Sequence, residues 1–66
     1  MKLKWSSIYD IAIDLEEKFP DVDILSLSFV KLHKMIIELE NFADDPESSS
    51  EGILESIQMA WLDERD

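Results

Sequence analysis

The chain has 66 residues, with 16 Asp and Glu against 6 Lys and Arg, a formal charge of -10, and no cysteine. That length holds one small domain, 1–66, and no more; without cysteine it has neither disulfides nor thiol chemistry. A surface so negative repels phosphate, which excludes direct nucleic-acid binding.

Although an acidic composition can signal disorder, 45% of the residues are hydrophobic and they recur periodically, so the chain is expected to fold. The opening Lys2-Leu-Lys-Trp5 reads as an extended segment that pairs weakly, with Trp5 closing one end of the core. Ser6 and Ser7 offer a cap, and from there Ile8, Ile11, Ala12, Leu15 and Phe19 lie on one helical face. This helix is expected to stop before Pro20, and its outer side carries an acidic stripe, Asp10, Asp14 and Glu17.

Asp21-Val-Asp23 reads as a polar turn, and Ile24 to Ser28 as a short helical turn with Ser28 as the cap of the next helix. Phe29, Leu32, Ile36 and Leu39 mark that second helix, of about 11 residues. Its opposite side holds Lys31 and Lys34, the one locally basic patch, and Glu38. Asn41 to Ser50, with Pro46 and three consecutive serines, reads as a loop. Ser48 and Glu51 stand at capping-box spacing before a third helix, whose buried stripe is Ile53, Leu54, Ile57, Ala60 and Trp61. Met59 and Leu62 fall off that stripe.

The expected fold is all-α: three helices in a winged-helix-like arrangement, with a loop in place of a regular wing because there is one glycine and no period-2 run. No stretch approaches the roughly 20 apolar residues that span a bilayer, and nothing resembles a secretory leader, so a cytoplasmic protein is expected. Catalysis is not supported. The chain has no phosphate-binding glycine loop and no nucleophile constellation, and a helical domain this small has little room for a pocket that excludes water.

The most informative stretch runs from Met35 to Glu64: nine carboxylates and no Lys or Arg. Such a field attracts multivalent cations and Lys/Arg-rich protein faces. Phe42 sits among the acids, where a large ring either plugs the domain or inserts into a partner. Trp5 and Trp61 read as core residues, and His33, inside the apolar arc of the second helix, as a packed and hydrogen-bonded residue at the core edge.

Taken in order, Leu3-Lys-Trp5, Pro20-Asp-Val-Asp23, Leu32-His33, Leu39-Glu-Asn-Phe-Ala-Asp-Asp-Pro46 and Trp61-Leu-Asp-Glu64 resemble, end to end, the IscX family of small acidic proteins of bacterial iron-sulfur cluster assembly. The resemblance implies a winged-helix-like fold and weak binding of ferrous iron, Fe(II), at acidic side chains, with no cofactor required for folding. It also implies docking on the cysteine desulfurase, in competition with frataxin and ferredoxin, as a modulator and not an enzyme. The family's acidic motif maps onto Glu38, Glu40, Asp44 and Asp45 as metal ligands, and this chain departs from it at Asn41 and Ala43, where acids are expected. Partner binding is expected at Glu38, Glu40, Phe42, Asp44, Asp45, Glu47, Asp63 and Glu64 of a monomer. Replacing Asp44 and Asp45 together by Asn is expected to weaken both kinds of binding and leave the fold intact. The alternative is a metal-independent acidic interaction module, or a mimic of nucleic-acid charge that occupies basic faces of DNA-binding proteins.

Overall fold

Three α-helices carry the fold in the computed structural model, which describes residues 2–66. Ser7 precedes the first without capping it, its hydroxyl accepting instead from the Lys4 amide at 3.3 Å. Helix α1, Ile8–Lys18, buries Ile11, Ala12 and Leu15 and closes at Phe19, whose amide still reaches the Leu15 carbonyl at 2.8 Å. Pro20 has no amide with which to extend the ladder. A 3-10 turn at Ile24–Ser26 comes next, held by Ser26 Oγ donating to Asp23 Oδ2 at 2.8 Å.

Helix α2, Phe29–Ile37, starts at the Ser28 cap, whose hydroxyl accepts from the Lys31 amide at 3.2 Å. It ends two residues earlier than the stripe through Leu39 predicts. The Leu39 amide bonds to the Ile36 carbonyl at 3.0 Å and the Phe42 amide to the Leu39 carbonyl at 3.1 Å. Such i to i+3 bonds tighten the chain beyond the helix end, keeping Leu39 buried while Glu38 and Glu40 face out.

Helix α3, Glu51–Arg65, is capped by Ser50 and not by Ser48. Ser50 Oγ accepts from the Ile53 amide at 3.3 Å, whereas Ser48 closes a separate 3-10 turn, Pro46–Ser48. That turn has its own cap: Asp45 Oδ1 accepts from the Glu47 amide at 2.9 Å, with Pro46 at the first position where a missing amide costs nothing.

The described residues contain no regular strand. Leu3 and Phe42 form one isolated parallel bridge, with the Leu3 amide donating to the Asn41 carbonyl at 2.7 Å and the Ala43 amide to the Leu3 carbonyl at 2.9 Å. The domain is all-α, with this single β-bridge between the opening segment and the 41–50 loop among the described residues.

Both tryptophans are core, Trp5 at 3% exposure and Trp61 at 0%. Trp61 Nε1 and Arg65 Nε both donate to Glu16 Oε1, each at 2.9 Å. Arg65 reaches onward to the Phe19 carbonyl at 2.9 Å and to the Val22 carbonyl, with its guanidinium 5.6 Å from the Trp61 ring centre. One side chain thereby satisfies carbonyls at the end of α1 and fastens α1 to the last turn of α3. Gln58 Nε2 donates to the Ile24 carbonyl at 2.9 Å, tying the 24–26 turn to the same helix.

Candidate functional site

The acidic loop hangs from Trp5. The indole Nε1 donates to the Asp45 carbonyl at 2.7 Å, and the Trp5 amide donates to Asp44 Oδ2 at 3.0 Å. The ring lies between two aromatic neighbours, stacked on His33 with centroids 5.5 Å apart and meeting Phe42 edge-on at 4.8 Å. His33 Nε2 lies 2.6 Å from the Pro46 carbonyl. Because a carbonyl only accepts, Nε2 carries the proton, and in the neutral ring only Nδ1 keeps a lone pair. His33 is therefore packed and hydrogen-bonded at the core edge, and Phe42 takes the plugging role, half-buried against the core.

This anchoring sorts the predicted acids. Glu38, Glu40, Asp45, Glu47, Asp63 and Glu64 are exposed, and the one ion pair among the described residues is Arg65 with Glu16, outside this set. The negative potential is thus displayed outward. Glu40 lines an open cleft of about 360 Å³ with Asp14, Glu17 and Lys18, so it meets the acidic stripe of α1.

Asp44 behaves differently. It is half-buried, with Oδ2 taking the Trp5 amide and Oδ1 the Asp45 amide at 2.7 Å. The bond from Trp5, then that from Asp45, with the nearby Lys4 charge adding to them, hold its carboxyl below the ordinary value of 3.8. The expectation that Asp44→Asn and Asp45→Asn together spare the fold is therefore corrected at Asp44. An asparagine there keeps one acceptor and turns an NH2 toward a backbone N–H.

A carboxyl whose folded value is depressed stabilises fully above its unfolded value and loses that contribution as pH falls through the folded one. Thermal melts from about pH 5 to about pH 2 are expected to show a loss of stability beginning below 3.8. In Asp44→Asn that component should be absent from the profile, with a lower melting temperature at pH 5; identical profiles for the two proteins would contradict the anchoring role.

The predicted metal ligands do not form a ready-made centre. No three His, Cys, Asp or Glu side chains among the described residues are placed to hold one ion. A hard divalent cation needs several converging oxygens. Here both oxygens of Asp44 face backbone amides, while Glu38 and Glu40 leave the chain at different points of the tightened turn.

The fold and this surface define a small helical, acid-faced domain, with no helix among the described residues long and apolar enough to cross a membrane. The chain belongs to the iron-sulphur cluster assembly family, whose model matches residues 3–66. It is 48% identical over all 66 residues to a protein of Pseudomonas aeruginosa described as uncharacterized protein PA3808, covering 100% of both chains. Membership assigns it a role in assembling iron-sulfur clusters.

Sequence reasoning missed two features. Arg65 and Glu16 lie 49 residues apart and no local pattern links them. The inward turn of Asp44 depends on a partner 39 residues away, and the one local hint is Trp5, a large ring in a segment too short to bury it alone.

Proposed function

We propose that this chain is an IscX-type, cytoplasmic, non-catalytic modulator of iron-sulfur cluster assembly that docks through its 38–47 face onto a basic surface of the cysteine desulfurase. The observation that carries the reading is the outward display of Glu38, Glu40, Asp45 and Glu47, none of them in an ion pair among the described residues, beside a loop tied to Trp5 by two hydrogen bonds. Opposed charges steer association and fix orientation without requiring a deep pocket. Ferrous iron enters as cargo and not as a resident cofactor. It would be held loosely by exposed carboxylates, keeping most of its water, and Asp44 contributes to that surface by fixing the loop.

One anaerobic titration of the isotopically labelled chain tests both parts. With the desulfurase, the 38–47 amides are expected to move, and affinity to fall by about tenfold or more as salt rises from roughly 50 to 300 mM, where the Debye length drops below about 8 Å. Affinity that is flat across that range would overturn electrostatic docking. With ferrous iron alone, selective broadening around Glu38, Glu40 and Asp45 is expected; an unchanged spectrum would remove the iron and leave the metal-independent module.

A further inference from the structure

We propose that the groove between the start of α1 and the middle of α3 is a second docking site, which takes a basic amphipathic helix of another protein. Ile8 and Tyr9 from α1, and Glu55, Ser56, Met59, Ala60 and Asp63 from α3, enclose about 350 Å³ of open space. Glu55, Met59 and Asp63 succeed one another at four-residue spacing, so they form a single ridge with the thioether between two carboxylates. Tyr9 stands across from them at 76% exposure, and Met59 is 56% exposed. Exposed methionine and tyrosine side by side are more characteristic of an interface than of a solvated helix face, because the thioether adapts to irregular apolar partners and the ring offers large area at low entropy cost.

Charge decides the occupant. Both carboxylates in the groove wall belong to the α3 ridge, Asp10 is exposed next to Tyr9, and the only cation of α3, Arg65, is engaged by Glu16. A matching segment therefore presents an aliphatic side chain with a Lys or Arg one turn to either side. A helix supplies that pattern, since its i and i+4 side chains repeat at about 6 Å, the spacing of the ridge itself. A second copy of this chain brings a charge of -10 against -10 and, in a two-fold contact, would set like acids face to face. Asp63 is among the expected partner-binding acids, but none of the groove residues belongs to the 38–47 face, so binding here stands or falls separately from docking of that face on the desulfurase.

The test uses the full chain and a designed probe: an end-blocked Ala/Gln peptide of about 15 residues, long enough for partial helicity, with one Leu flanked by Lys four residues before and after. In methyl spectra the Met59 and Ile8 signals are expected to move on titration. Changing the peptide's Leu to Ser, or Met59→Gln or Tyr9→Ser in the protein, is expected to weaken binding by about tenfold or more, the effect of losing one buried anchor. Met59 and Tyr9 are both exposed, so melting curves of the two variants should match the parent. Equal affinity for the Leu and Ser peptides would overturn the apolar anchor, and shifts confined to residues 38–47 would overturn the location. Methyl shifts that depend on protein concentration without any peptide would overturn the heterologous partner and show that a second copy fills the groove instead.

Discussion

Replacing Trp5 by alanine is expected to leave a substantial fraction of the chain unfolded at 25 °C without denaturant. The ring is 3% exposed, and truncating a buried tryptophan costs ~3–5 kcal/mol. A chain of 66 residues has about 3–10 kcal/mol in total at the usual stability per residue. The loss here reaches beyond the cavity. His33 and Phe42 lose the surface on which they pack, and the Asp45 carbonyl loses its indole donor. Urea titration monitored by far-UV circular dichroism and by Trp61 fluorescence measures the effect, and a stability within about 1 kcal/mol of the parent would show that the loop does not depend on this ring. Trp5→Phe separates the two contributions. It keeps a buried apolar ring and loses the indole donor to the part-buried Asp45 carbonyl together with the smaller half of the bicycle, so it should cost less than the alanine variant.

The contrast between Trp5 and Asp44 shows which parts of the molecule are legible in the sequence. Helical stripes, the Ser28 cap and the stop at Pro20 come from near neighbours in the chain, the burial of both tryptophans from their size and apolar character, and the structure contains them all. The cap of the third helix lies two residues beyond the expected Ser48. Ser48 and Ser50 are chemically the same, and the choice rests on Asp45 and Pro46 having already folded the chain into a turn that uses Ser48. Asp44 and Glu38 look alike in the sequence, each an acid near the end of the second helix. One is turned inward by the Trp5 amide and the other is left in water, a difference created by the pairing of Leu3 with Phe42 across the whole first half of the chain. Local patterns carry the helices, while contacts between distant segments decide which acids remain available to a partner.

That division gives the docking face a sharper test than total charge. Replacing the exposed Glu38, Glu40 and Glu47 together by glutamine is expected to weaken desulfurase binding at low salt by about ten- to thirtyfold, since exposed charge pairs each contribute modestly and add when they face the same partner. All three side chains are exposed and none is in an ion pair among the described residues, so the melting temperature should stay near the parent value. Replacing Asp10, Asp21 and Glu55, exposed acids that do not line the Glu40 cleft, by their amides removes the same net charge and should change affinity by no more than about threefold if the loop is the contact. Asp44→Asn completes the comparison. It removes one charge yet acts through the anchor at Trp5, so its affinity loss should track its loss of stability and shrink at lower temperature, where more of the loop is in place. Calorimetry of all three variants at two ionic strengths reads these outcomes. Equal losses for the two triple variants would mean that the desulfurase senses only the overall negative field, and the ordered geometry of the 38–47 loop would then have no part in recognition.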